Sequence, residues 1–378
     1  MEKAFWALVA LVIYIYLGYP ALIFLLSKLR RQRPMGRLRH TPSVSLIITA
    51  YNEEKVIGRK IENSLALNYP HDRLEIVVSS DGSSDGTNGI VRAFEEQGIG
   101  LLPWEENRGK AVAQNNAVVR TCGEIIVFSD ATGMYREDAL EHLVACFADS
   151  NVGCATGKVV WGNEDASSTA QGEGMYLRYE AFLREKESRV GNLSMASGSI
   201  MAIRRSLFRP IDPHVSEDFV LPLGVIKEGY RVMYAPRAVS VEQVVTKPED
   251  QLRTRVRTIT LDLRSLFMNW ELLNPLKYPG VSLGLISHKL LRWLVPYFLI
   301  VLFVLNLLLL GGPFFALALS LQGIFYGLAI MGYLWQRGGR PPGIFGGPCA
   351  FVTINLAALI GIARFAAGGK AGQWKPVR

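Results

Sequence analysis

The sequence predicts an α/β protein: a doubly wound, mostly parallel sheet joined to transmembrane helices and to amphipathic helices at the membrane interface. Three observations carry that expectation. Between about residues 43 and 245, short apolar runs alternate with helical patterns, the signature of strands connected by crossover helices. Long stretches without a charge lie toward both ends of the chain. The 378 residues are 49% hydrophobic and 20% charged, yet 41 Lys+Arg and 33 Asp+Glu require a solvated body beside any lipid-facing part.

Taken in order, Ala4 to Leu26 carries no charge and is long enough to cross roughly 30 Å of hydrocarbon at about 1.5 Å per residue. A cleaved leader would have a shorter apolar core ending in small residues, whereas this one runs into Lys28, Arg30, Arg31 and Arg33. Residues 1–27 are therefore expected to be a transmembrane helix and 28–42 a basic juxtamembrane linker. Residues 43–245 form the polar domain. Within it, Val44 to Ala50 reads as a strand and Glu53-Glu54 opens a helix toward Leu67. Leu74 to Ser79 leads into a helix after Asp85, Ile99 to Trp104 into a helix from Gly109 to Arg120, and Glu124 to Phe128 is a fourth strand.

Residues 246–292 are expected to be interfacial. Val256, Ile259, Leu263, Leu266 and Phe267 alternate with Arg253, Arg257 and Arg264, and Ser282 to Trp293 leads into the next span, with Trp293 and Tyr297 suited to an aromatic belt. His288 reads as a head-group or structural residue rather than a ligand. Residues 293–366 supply about three more crossings: Trp293 to Trp335 is free of charge and broken by Gly311-Gly312-Pro313, and Pro341 to Ala363 follows. The tail 367–378 is basic. By the positive-inside rule the linker, the polar domain and the loop Gln336 to Arg340 face the cytoplasm, making this a multi-pass protein of the cell (inner) membrane. A full fourth crossing puts Lys370, Lys375 and Arg378 outside, against that rule, so a re-entrant last segment is the alternative.

The net charge of +8 needs no nucleic acid, because much of it is juxtamembrane and suited to anionic membrane lipids. Cys122, Cys146, Cys154 and Cys349 have no metal-binding spacing and are expected as reduced, mostly core thiols.

In a doubly wound sheet, ligands sit beyond the carboxyl ends of the strands. Polar clusters fall there four times: Tyr51-Asn52-Glu53, Asp81 to Gly86, Asn107 to Lys110, and Ser129 to Thr132. Asp85 is suited to an N-cap, and Glu53 and Glu54 to a first helical turn. Asp81, before Gly82, can accept a hydrogen bond from a planar base while the glycine lets a ligand approach the backbone. Lys110 opposes the dipole at a helix start and so implies an anion nearby, such as a phosphate. Asp130 ends an apolar strand and suits Mg²⁺ or Mn²⁺, which take one or two carboxylates together with substrate phosphates. Glu217 and Asp218 read either as first-turn acids of a helix capped by Ser216 or as functional carboxylates.

The order of these motifs resembles a family 2 glycosyltransferase of the GT-A fold, in the membrane-integrated branch of the hyaluronan, chitin and cellulose synthases. The resemblance rests on Thr49 to Glu53, Ser80 to Thr87, Gly109-Lys110-Ala111, Ser129-Asp130-Ala131, Gly198-Ser199 with Arg204-Arg205, and Ser216-Glu217-Asp218. It implies that Tyr51-Asn52-Glu53 and Asp81 hold the uridine, with Ala50 also among the nucleotide-sugar-binding residues, that Lys110 contacts the nucleotide, and that Asp130 binds the diphosphate through a divalent metal. It further places Gly198, Ser199 and Glu217 on the acceptor side and makes Asp218 the catalytic base. Two departures stand out. Thr132 replaces the second acid of the metal element, and Thr254-Arg255-Val256-Arg257-Thr258 stands where the synthases have Gln-(Gln/Arg)-x-Arg-Trp. Arg255 and Arg257 can still clamp phosphate oxygens, but an aromatic platform for an acceptor sugar is missing.

The implied activity is inverting transfer from a UDP-sugar to a polysaccharide or lipid-linked saccharide at the cytoplasmic membrane face. A homo-oligomer or a polysaccharide-export partner fits that setting. A non-catalytic nucleotide-sugar-binding subunit and a processive synthase are the alternatives.

Overall fold

The computed structural model describes residues 1–30, 40–162, 168–191, 193–243, 248–336 and 343–368. Arg31 to Arg39, Arg337, Arg340 and the tail residues Lys370, Lys375 and Arg378, on which the basic-linker and tail expectations rest, lie outside the described residues.

Eight strands form one sheet: β1 (Val44–Ala50), β2 (Leu74–Ser80), β3 (Ile99–Pro103), β4 (Ile125–Asp130), β5 (Met134–Tyr135), β6 (Val152–Trp161), β7 (Met201–Arg204) and β8 (Arg231–Glu242), in the order β3-β2-β1-β4-β7-β6-β8-β5. The four strands expected from sequence are parallel neighbours. The second half is mixed: β7 runs antiparallel to β4 and β6, β6 and β8 are parallel, and β5 is antiparallel to β8. Every residue of β1 is buried, with Leu46 and Ile48 in one core cluster and Ile47 in the other. Side chains of a strand alternate between faces, so burial on both sides is what an α/β layer architecture requires.

The helices are α1 (Glu2–Ile13), α2 (Tyr19–Leu29), α3 (Ile57–Leu65), α4 (Thr87–Arg92), α5 (Lys110–Val118), α6 (Ala139–Ala145), α7 (Ser168–Val190), α8 (Glu217–Lys227), α9 (Pro248–Met268), α10 (Pro279–Gly284), α11 (Leu291–Leu308), α12 (Pro313–Gln336) and α13 (Gly343–Ala366). A π-helical turn over Tyr14–Gly18 joins α1 to α2, and another over Leu285–Leu290 joins α10 to α11. Among the described residues, four helical stretches are long and apolar enough to cross a membrane: Glu2–Leu29, Pro279–Leu308, Pro313–Trp335 and Ile344–Ala366.

Three details differ from the sequence expectation. The second candidate span begins at Pro279, not near Trp293, so the segment around His288 lies inside a continuous helix. Trp293 does not belong to an aromatic belt: it is 8% exposed and its ring lies edge-on to Phe219, 6.4 Å away. The apolar stripe of α9 is also inward. Val256, Ile259, Leu263 and Leu266 are buried in a cluster with Ala357 and Ala358 of α13, and Thr260 Oγ1 donates to Gly361 O at 3.3 Å. Exposed apolar residues gather instead at its last two positions, Phe267 and Met268, and just beyond, at Trp270 and Leu276. The four cysteines are free thiols, three of them buried.

Candidate active site

The site is built from the carboxyl ends of β1, β2 and β4, closed by the starts of α5 and α8. After Ala50 the chain turns through Asn52 at φ +54, a left-handed conformation that asparagine tolerates better than most residues. Asn52 donates its N–H to Ser83 Oγ at 3.0 Å and accepts the Ser84 N–H at 2.8 Å. Glu53 donates its N–H to Thr87 Oγ1 at 2.8 Å, and Glu54 accepts the Gly86 N–H at 3.0 Å. The turns after β1 and β2 are thus one hydrogen-bonded unit, with Ala50 contributing its carbonyl to the Asp81 N–H at 2.8 Å. Gly86 occupies the N-cap position expected for Asp85, and Asp85 acts one residue earlier by accepting the Thr87 N–H at 3.0 Å.

Asp81 is 1% exposed, and its two oxygens accept the N–H groups of Arg108 at 3.0 Å and Gly109 at 2.8 Å. Its carboxylate therefore organises the loop that delivers Lys110, and a planar base would have to share oxygens already bonded to backbone. Gly82, at φ +72, is forced: a Cβ there would lie 2.4 Å from Asn107 N. A cleft of about 490 Å³ opens beside Asp81, lined by Pro103, Trp104, Glu106, Arg108 and Asn116.

Gly109, at φ +99, turns the chain into α5 and aims the next side chain at the sheet rim. Lys110 Nζ lies 2.6 Å from Asp130 Oδ1 and 2.8 Å from Glu217 Oε1. The anions required by a cation at this helix start are thus supplied by the protein itself. Burial works against the Lys110 charge, but Asp130 and Glu217 outweigh it and hold the ammonium charged. Burial likewise raises the Glu217 carboxyl, while Lys110 and then Arg257 bring it below the ordinary carboxylate range. Asp218 moves the other way: burial first, then the neighbouring Glu217, raises its pKa. Ser216 sits at the N-cap of α8, yet its hydroxyl donates to Asp218 Oδ1 rather than capping a backbone N–H.

Gly198 packs directly on this cluster, where a Cβ would meet Glu217 Oε1 at 3.1 Å and Lys110 Nζ at 3.3 Å. The two arginines of α9 separate, because residues two apart point to different sides of a helix. Arg257 acts on Glu217, whereas Arg255 stacks over the Tyr176 ring at 4.8 Å.

Three functional candidates were missed in the sequence. Glu242 ends β8 as Asp130 ends β4, a signal legible once β8 is known to be in the sheet. Lys60 sits on the buried face of α3, fully enclosed, donating to Gly133 O and lying over the Tyr135 ring at 4.1 Å. Asp262 is a lone acid within the apolar stripe of α9, with 3% exposure.

Among the described residues no group of three His, Cys, Asp or Glu side chains could hold a metal alone. Asp130 and Glu242 nevertheless act on one another: burial first, and then Asp130 with its like charge, push Glu242 up to about 7, while Ser199 and Lys110 oppose the rise. Two mutually repelling, largely enclosed carboxylates are relieved by a divalent cation, and Mg²⁺-like ions take one or two carboxylates and complete their shell with phosphate oxygens and water. Asp130 and Glu242 are the acids that would hold a Mg²⁺ or Mn²⁺ ion together with substrate phosphates.

Residues 45–211 match the family model described as glycosyl transferase family 2. This segment is a family 2 glycosyltransferase domain. It contains β1 to β7 and, by position, Asp81, Lys110 and Asp130, while Asp218 follows just beyond it.

Relatives share part of the chain's sequence. The chain is 29% identical over 221 residues to the probable glycosyltransferase YdaM of Bacillus subtilis, covering 54% of this chain and 52% of that one. It is 27% identical over 168 residues to the beta-monoglucosyldiacylglycerol synthase of Synechocystis, covering 43% and 35%. With the poly-beta-1,6-N-acetyl-D-glucosamine synthase of Staphylococcus epidermidis it shares 24% over 225 residues, covering 55% and 53%. The chain therefore spans about half the length, or less, of these relatives. The fold extends further: the mannosyltransferase PcManGT from Pyrobaculum calidifontis, solved with GDP-Man and Mn²⁺, superposes at a TM-score of 0.72 with 23% identity, covering 96% of this chain and 99% of that one.

Proposed function

We propose that the chain is a membrane-embedded, metal-dependent, inverting glycosyltransferase that moves a sugar from a nucleoside diphosphate donor, UDP-linked in the first instance, to a saccharide or lipid-linked saccharide at the cytoplasmic face of the cell membrane. The observation that carries this reading is the placement of Lys110 against both Asp130 and Glu217, with Asp218 next in sequence. It joins the strand ends that face a donor to the helix start that faces an acceptor.

Asp218 takes the proton of the acceptor hydroxyl as its oxygen bonds to the anomeric carbon and the bond from that carbon to the diphosphate breaks. Lys110 and Arg257 lie where cations stabilise negative charge developing on the leaving diphosphate. A divalent ion on Asp130 and Glu242 supplies further charge stabilisation when bound. The turns over 50–54 and 81–87 and the cleft beside Asp81 suit the nucleoside.

The similar proteins support the class: one was solved with GDP-Man and Mn²⁺, and two are named for synthesis of a glycolipid and of a polysaccharide. Thr258, in place of the synthases' tryptophan, favours transfer of one or a few sugars over processive polymerisation.

The test uses the full chain in lipid nanodiscs with Mn²⁺, a panel of UDP- and GDP-sugars, and saccharide or glycolipid acceptors, reading nucleotide release and product size. One donor should give acceptor-dependent release, and Asp218→Asn should lower it by about 100-fold or more. Release by that variant at the wild-type rate would overturn the base assignment. Donor binding without transfer to any acceptor would favour a binding subunit.

A further inference from the structure

The turn that follows Asp130 is gripped by α3. Lys60, fully enclosed on the buried face of that helix, donates to the Gly133 carbonyl and lies 4.1 Å over the Tyr135 ring. About one helical turn further along, Asn63 Nδ2 donates to Tyr135 O at 2.7 Å, and Asn63 Oδ1 accepts the Tyr135 N–H at 2.8 Å. Ile57 and Ile61 of α3 are buried in one cluster with Ala131 and Tyr135. A leucine in place of Lys60 would be cheaper to bury than an amine, but it would leave the Gly133 carbonyl without this donor.

Tyr135 passes the grip on. Its hydroxyl is shared between Ser199 O at 2.8 Å and Phe128 O at 3.2 Å, and Phe128 lies two residues before Asp130 on β4. Gly133 closes the other side of the turn. Its N–H donates to Asp130 O at 3.2 Å, and a Cβ there would lie 2.9 Å from Ser240 Oγ, whose hydroxyl donates to Glu242 Oε1 at 3.4 Å. The clamp thus reaches the backbone on both sides of Asp130 and the strand that ends in Glu242. At its other end α3 starts on the turn after β1, where Glu53 O accepts the N–H groups of Val56 at 3.0 Å and Ile57 at 2.9 Å. One short helix therefore connects the turn assigned to the nucleoside with the turn that carries Asp130.

We propose that Lys60, Asn63 and Tyr135 are positioning residues for the diphosphate end of the donor site: through them α3 fixes Asp130 relative to the turn after β1 and to Ser199. This inference rests on the reading of Asp130 as the acid that meets the diphosphate and its divalent ion. Thr132 stands in this turn in place of a second acid, so the position of the one carboxylate matters more: no neighbour in the turn compensates for its displacement. Replacing Lys60 would change the charge around Asp130 and Glu242 as well as the grip. Asn63 and Tyr135 therefore carry the cleaner test, because substitutions there leave the charge unchanged.

The experiment uses the full chain in nanodiscs. With Mn²⁺ binding followed by paramagnetic resonance of the free ion, without nucleotide, Asn63→Leu and Tyr135→Phe should each weaken it by about tenfold, the usual cost of losing a group that orients a ligand. Nucleotide release should then need about tenfold more Mn²⁺ to reach half its maximal rate, with the acceptor KM unchanged. A purely structural role would lower the thermal midpoint and leave the Mn²⁺ affinity of the folded fraction as in wild type, and that result overturns the proposal. Hydrogen exchange of the metal-free protein is the second measurement. The amides of Gly133 to Arg136 should exchange about tenfold faster in Asn63→Leu, and exchange at the wild-type rate overturns the clamp. Asn63 is half-buried, so its variant carries the test if Tyr135→Phe does not fold. A wild type that binds no Mn²⁺ overturns the metal reading of Asp130 instead, and the exchange rates still decide the clamp.

Discussion

Lys110 holds the site together by being the common partner of two carboxylates on different elements. Lys110→Met leaves Asp130 and Glu217 without their cation, and breaking such a largely buried pair costs about 3 kcal/mol. Chemical denaturation should register that loss, and nucleotide release should fall by about 100-fold. Gly198→Ala makes a milder test. Its methyl group meets both Glu217 and Lys110, so transfer should drop about tenfold with little change in the thermal midpoint. Asp262 has a signature in stability as well. Its folded pKa, near 8, lies above the unfolded value of about 3.9, so the native state retains a proton that the unfolded chain releases. Its contribution is fully present below about pH 4 and is lost as pH rises toward 8. Asp262→Asn should remove that slope, measured as the difference in unfolding midpoint between variant and wild type across the range.

At the scale of elements, the loops after β1, β2 and β3 act as one part. Asp81 ties the loop before α5 to the end of β2, and Gly82 lets the two backbones touch. Gly82→Ala should displace residues 106–110 and weaken donor binding, read by calorimetry with the active donor, while leaving the remote α9 to α13 packing intact. A second element-level prediction concerns the metal. Asp130→Asn and Glu242→Gln should each weaken Mn²⁺ binding about tenfold or more, followed by paramagnetic resonance of free Mn²⁺. Equal binding by Glu242→Gln would remove β8 from the donor set. Both parts depend on strand order. β8 is separated from β4 by β7 and β6 in the sheet, yet β5 pairs with β8 and returns Gly133, just past Asp130, to Ser240.

Across the whole molecule, α7 joins the domain to the helices at either end of the chain. Glu180 and Glu187 are buried there, with His288 between them, Arg292 on Glu180 and the Tyr19 hydroxyl on Glu187 at 2.7 Å. Burial alone would raise the Glu180 carboxyl, but His288 and Arg292 hold it well below the usual range. Arg292 is also surrounded by the rings of Tyr16, Tyr176 and Tyr179. The charged stretch Tyr176 to Val190 is therefore a buried hub between the domain and the terminal helices. Arg292→Met should lower the thermal midpoint of the nanodisc-embedded protein more than an exposed change such as Arg209→Met, because it strands Glu180 in a buried position.

The first four strands with their crossover helices, the four apolar helical stretches and the gathering of Asp81, Lys110 and Asp130 at one rim were legible in the sequence, whereas Asp218 was singled out by the family resemblance. Each depends on a local pattern: alternation, charge-free length, or a polar cluster where an apolar run stops. Nothing local distinguishes Glu242, Asp262 or Lys60 from an ordinary surface acid or base, since their roles arise from what packs against them. The inward turn of the α9 stripe, the burial of Trp293 and the division of Arg255 from Arg257 follow the same logic. The sequence by itself determined which groups meet at the ends of strands, because strand direction and crossover handedness place them there. Only the tertiary structure decided which carboxylate neutralises which cation and which acid keeps its proton, because charge states inside a protein are set by burial and by neighbours remote in sequence.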